Sequence, residues 1–196
     1  VALRTETQDV SKELESAMRQ EAAKKHFDLV VVACEMDPAK QAAQIEDFVA
    51  QHVDAILAAP CDSDAIGPNL EGPERAGIPV FTVDIAAHGG KVVSHIGSDN
   101  VEGGRLAART LAALIGDRGK IIIIDHPEVS SVQDRTRGFD DEIKQHPNIT
   151  IVGRPSASGQ RARAMAVTED LLQAQPDLKG IFGINDDSAL GAAKAV

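Results

Sequence analysis

Three side chains carry the chemistry this sequence offers: the carboxylate of Asp84, the guanidinium of Arg135 and the amide of Asn185. They stand in the frames PVFTVDIA (79–86), SVQDRTRGF (131–139) and GIFGINDDSALGA (180–192). Two of these are short apolar runs ending in a polar side chain, and the third is a polar segment running into a helix. In an open parallel α/β sheet that placement aims polar groups at the crevice beyond the carboxyl ends of the strands, where ligands bind. A carboxylate accepts from two hydroxyls, a guanidinium donates a planar fork, and an amide does both. The set suits a small polyhydroxylated ligand. Each residue also has a plainer role open to it. Asp84 favours a turn cap, Arg135 has Asp134, Asp140 and Asp141 close on its own helix, and Asn185 stands where it would cap the last helix.

No reaction centre accompanies them. GDRGK (116–120) looks like a phosphate loop but lacks the G-x-x-x-x-G-K-[ST] spacing and precedes a strand. NVEGGRLA has paired glycines and no G-x-G-x-x-G. The six histidines (26, 52, 88, 95, 126 and 146) form no i, i+4 pair around a Glu, and no Cys/His spacing suits zinc. Ser130, Ser131 and His126 lie close together without a G-x-S-x-G elbow. The expectation is a binding protein without metal or cofactor.

A chain of 196 residues holds one large or two small domains, each with a core. At 43% apolar and 26% charged it is globular in composition. A formal charge of −10 argues against nucleic acid, which demands clustered Lys and Arg. With no Trp, no Tyr and five Phe, few rings are on hand for stacking. No run of 18 apolar residues exists to span a membrane. Cys34 and Cys61 each follow an apolar strand, LVVVAC (29–34) and AILAAPC (55–61). In the usual doubly wound order the first strand lies between these two, which sets the cysteines too far apart to bridge, so free thiols are expected.

The elements that position the site alternate. Strands are predicted at 1–5, 28–33, 54–59 and 78–83, with helices at 9–26, 38–51 and 63–76 between them, and VVSHIGSDN (92–100) is read after these four as a strand followed by a helix cap. Pro38 fits a first helical turn, Asp62 and Ser63 fit N-caps, and Gly77 fits a C-cap. The strands are apolar throughout, so both sheet faces are predicted to be covered. A second series follows: helix 100–116, strand 120–124, helix 131–145, strand 149–153, helix 160–175, strand 180–184 and helix 187–196. A domain boundary is placed near 98, giving 1–98 and 99–196. Val196 falls within a helix that has no stop signal, so the chain is expected to lack residues at both ends.

DPAK (37–40), PCDSDAIGP (60–68), AGIPVFTVD (76–84), VVSHIGSDNVEGGRLAA (92–108), RTRGF (135–139) and GINDDSALGA (183–192) together resemble the ribose-binding-protein group of periplasmic sugar-binding proteins. The resemblance runs over essentially the whole chain. It implies a type I periplasmic binding protein: two doubly wound α/β lobes joined by three crossovers, closing on a monosaccharide or polyol. It further implies a monomer in the periplasm, or lipid-anchored outside the cytoplasm, that docks on an ABC-type permease. Asp84, Arg135 and Asn185 match the sugar-contacting carboxylate, guanidinium and amide. Elsewhere the pattern departs. Where close ribose-binding relatives have Ser, Asn and two adjacent Phe, this chain has Arg4, Gln8, Val10 and Ser11; their Arg after the cleft Asp is Ile85, and a third cleft Phe is Ser158. The cleft without its aromatic sandwich, with Arg4 adding positive charge, implies an acidic sugar or a differently hydroxylated polyol rather than ribose. Arg4, Gln8 and Ser158 join the candidate ligand contacts by position. The same fold serves LacI-type regulators as an effector domain; a helix-turn-helix ahead of the first strand would mark that class, and turnover of a bound sugar would mark an enzyme.

Overall fold

The computed structural model describes residues 1–3 and 9–196. Arg4 and Gln8 lie outside the described residues. The chain divides into two compact units, Val1–Ser98 and Asp99–Val196.

The first unit runs β1 (Ala2–Leu3), α1 (Asp9–Lys25), β2 (Val32–Ala33), α2 (Pro38–Ala50), β3 (Ile56–Ala58), α3 (Ile66–Asn69), α4 (Glu71–Arg75), β4 (Val80–Val83) and β5 (Ser94–Ile96). All pairings are parallel, in the order β2-β1-β3-β4-β5. That is a doubly wound order, whose direction of travel reverses beside β1. Ile45 and Phe48 of α2 pack with Ile56, Leu70 and Val80 to form the core. Asp37 caps α2, its carboxylate accepting from the amides of Ala39 and Lys40, and Pro38 occupies the first turn. Gly77 closes the α4 region with a left-handed φ of 73°.

Two expectations change here. The helix predicted over 63–76 is two short helices meeting at Leu70. Pro73 has no N–H to give the carbonyl of Asn69 and crowds it, which breaks the ladder. Strand β5 is exposed along its length. Cys34 and Cys61 are not free: they form a disulfide with Cα atoms 7.2 Å apart. Strand β1 does stand between β2 and β3, a separation of about 9.5 Å across two strand spacings. Both cysteines, however, lie past the strand ends, where the chain has left the sheet and converges beyond the end of β1.

The second unit runs α5 (Asn100–Leu114), β6 (Gly119–Ile124), α6 (Ser130–Ile143), β7 (Ile149–Gly153), α7 (Arg161–Ala174), β8 (Leu178–Gly183) and α8 (Asp186–Ala195). Its parallel sheet is ordered β7-β6-β8. Strand β6 is central, and Ile121–Ile124 are wholly buried, as an uninterrupted apolar run in a two-faced parallel sheet requires. Helices α5 and α6 meet through glycines. A Cβ on Gly104 would run into the carbonyl of Arg135, and one on Gly138 into the carbonyl of Val101. Phe139 of α6 stacks on Phe182 of β8 with ring centroids 4.4 Å apart.

Candidate functional site

In the first unit, Asp84 follows β4 directly. Its φ of 64° is left-handed, a conformation that Asp tolerates better than most residues. The turn is held because the Asp84 amide donates to the carbonyl of Ile96 at 2.8 Å, one residue past the last β4–β5 pairing, Val83↔Ile96. Behind it, buried Thr82 shares a hydrogen bond of 2.9 Å with His95 Nδ1. Ile85, where the resemblance places an Arg, turns into the core.

In the second unit, Arg135, Asn185 and Ser158 converge on the carboxyl-end side of the sheet. Arg135 projects from α6, and its acidic helical neighbours have other partners: Asp134 pairs with Arg137, Asp140 with Arg154 and Asp141 with Lys144. Its Nη1 donates to the carbonyl of Ile184, and its Nη2 donates to Asn100 Oδ1 at 2.5 Å. The guanidinium thus joins α6, the first residue of α5 and the end of β8. Asn185, next to Ile184, is the N-cap of α8: its Oδ1 accepts from the Ser188 amide at 2.8 Å, and its Nδ2 points at the Gly159 carbonyl 3.5 Å away. Ser158 precedes that glycine with a left-handed φ of 50°, and its Oγ accepts from Arg163 at 3.0 Å. Asp99 caps α5 through the Glu102 amide, and Asp186 and Asp187 lie in the first turn of α8, where negative charge is favourable.

Asn100 opens α5 and was not among the candidate ligand contacts. The structure makes it the side chain that orients Arg135, over a separation of 35 residues. A polar residue opening a helix is the only local signal, and it does not name the partner. Among the described residues no group of His, Cys, Asp and Glu could hold a metal ion. A cavity of about 440 Å³ beside β8 and α8 is lined by Leu172, Leu178, Ile181, Ala189 and Ala192. That apolar lining does not suit a polyol, so the polar convergence at the strand ends is the better candidate site.

Asp125 follows β6 at the same end. Burial raises its pKa above the ordinary carboxylate value, against the lowering effects of the His126 amide and the Arg154 charge. The folded state therefore holds this proton more tightly than the unfolded chain does. Its contribution is most favourable below the unfolded value and is lost as pH rises through the folded one. Asp125→Asn keeps the acceptor for His126 and removes the charge. The variant is expected to melt above wild type at pH 7, with the gap closing below about pH 4. Parallel thermal melts across pH check this; a gap that does not depend on pH would refute the assignment.

The whole chain, residues 1–196, matches the family described as periplasmic binding protein domain. The chain belongs to that family. It is 36% identical to the ribose import binding protein of Bacillus subtilis over 93% of this chain and 60% of that protein. A periplasmic solute-binding protein of Actinobacillus succinogenes, solved with bound D-allose, superposes with a TM-score of 0.90 at 31% identity, covering 100% of this chain and 71% of that one. The Caulobacter myo-inositol binding protein, solved with myo-inositol, gives a TM-score of 0.93 at 28% identity over 100% of this chain and 68% of that one. The chain thus spans about 60% of the length of the curated ribose relative. Its α/β units with parallel sheets are those of the periplasmic binding proteins.

Proposed function

We propose that this chain belongs to the substrate-binding component of an ABC-type sugar transporter, located in the periplasm or otherwise outside the cytoplasm. It captures a monosaccharide or polyol without altering it, and it docks as a monomer on a membrane permease. Asp84, Arg135, Asn185 and Ser158, with Arg4 and Gln8, contact the ligand. Closure about a hinge follows from ligand contacts that are stronger in the closed form. The observation that carries this reading is the Arg135 cluster: a guanidinium held between Asn100 and the Ile184 carbonyl, one residue from the Asn185 amide. Such preorganised polar groups at strand ends recognise a few hydroxyls with little reordering.

The ligand we propose is an acidic sugar or a polyol other than ribose, because Val10, Ser11 and Ser158 stand where ribose-binding relatives place aromatic rings. Calorimetric titration with D-ribose, D-allose, xylitol, myo-inositol and a uronic acid tests both claims. Binding of a polyol or acidic sugar in preference to ribose is expected. Binding of ribose alone would refute the specificity, and turnover of a bound sugar would refute the transport reading.

A further inference from the structure

We propose that the Cys34–Cys61 disulfide positions the ligand-facing edge of the first unit, so that the binding-competent protein is the oxidised one. The proposal rests on the reading of Asp84 as a sugar contact. Cys34 is the residue after β2, and Cys61 lies three residues after β3, so the bridge ties together two turns at the carboxyl end of the sheet, on either side of β1. Both cysteines are buried, at 0% and 5% exposure.

Each turn has its own anchors. The Cys34 amide donates to the Leu3 carbonyl at 2.9 Å, and the Asp37 amide to the Cys34 carbonyl at 3.0 Å. Between them Glu35 and Met36 hold consecutive left-handed φ values of 53° and 63°. Neither is glycine, and such residues persist only where the surroundings over-determine them. The bridge at Cys34 and the cap at Asp37 fix the two ends of that pair. On the other turn, buried Gln41 donates to the Ala59 carbonyl and accepts from the Cys61 amide, both at 2.9 Å. Gln41 belongs to α2, the helix Asp37 caps, so the side-chain bonds and the disulfide close one loop of connections between the turns. The Ser63 carbonyl accepts from the His88 amide at 2.7 Å, which ties the 59–63 turn to the loop that Asp84 opens. Loosening the 59–63 turn therefore removes an anchor of the loop that follows Asp84.

Formation of the bridge is thiol–disulfide exchange with a disulfide oxidant. The two thiols give up two electrons and two protons, and the oxidant leaves as a dithiol. Because both sulfurs are buried, the formed bridge is shielded from attack by a soluble thiol.

The first measurement is a thiol count on the protein unfolded without reductant. Zero thiols are expected, and two would overturn the proposal. The second compares oxidised wild type, wild type unfolded in urea, reduced by a phosphine and refolded, and the Cys34→Ser/Cys61→Ser variant. The phosphine becomes its oxide with the oxygen of water while the two sulfurs become thiols. Amides in 35–40 and 59–63 are expected to exchange at least tenfold faster without the bridge. The unfolding midpoint is expected to fall by about 10 °C, and affinity for whichever panel sugar binds at least fivefold. Reoxidation of the reduced wild type is expected to restore all three. Unchanged exchange and affinity in the reduced wild type would overturn the proposal even with the bridge present. If no sugar binds in any state, the transport reading fails, and the exchange and melting data alone decide whether the bridge positions these turns.

Discussion

Gly138→Ala is expected to destabilise the second unit by about 3 kcal/mol, the scale of an overpacked contact that only backbone movement can relieve. The added methyl would meet the carbonyl of Val101 in the first turn of α5, not the end of a flexible side chain. Helices α5 and α6 must then separate. Asn100, which orients Arg135, adjoins Val101, so the separation also pulls the acceptor away from the guanidinium. Gly103→Ala is the control on the same helix: its Cβ would meet nothing within 4 Å. There the helix propensity of Ala dominates, and the variant is expected to gain up to about 1 kcal/mol. Urea unfolding of both variants gives the comparison. Equal midpoints would mean that the α5–α6 contact tolerates wider spacing than the structure shows.

Asp84→Asn is expected to weaken sugar binding at least tenfold while leaving the melting temperature near wild type. Asn keeps the size of the side chain and tolerates the left-handed turn, so the substitution removes the charge that strengthens hydrogen bonds from hydroxyls and exchanges one acceptor oxygen for an NH2 donor. Asp84→Ala combines that loss with the backbone cost of a β-carbon residue at positive φ, about 1 kcal/mol. Arg135 behaves differently. Arg135→Ala removes the donor to both the Ile184 carbonyl and Asn100, so both affinity and stability are expected to fall. A lysine at 135 has no planar fork and is not expected to restore either. Titration beside thermal melts separates the two effects. Full affinity in Asp84→Asn would remove Asp84 from the site.

The candidate site was partly legible before any coordinates. Asp84 and Asn185 could be placed because an apolar run ending in a polar residue marks a strand end, and strand ends in parallel sheets face the ligand crevice. The cap on α8 was legible for the same local reason, since Asn185 lies three residues before the amide it accepts from. What Arg135 touches was not legible. Its partners lie 35 and 49 residues away, while the acids near it in sequence find other cations.

By itself the sequence determined the α/β class, the parallel alternation of strand and helix, and the residues standing at the strand ends. Hydrophobic period and length are local properties, and burial on both faces leaves its mark residue by residue. Tertiary structure alone decided which distant groups meet. It bridged Cys34 to Cys61 and turned Asn100 toward Arg135. It also gave Gly104 and Gly138 their purpose. A glycine in a helix reads locally as a weakness, and only the close approach of a second backbone shows why no larger residue fits.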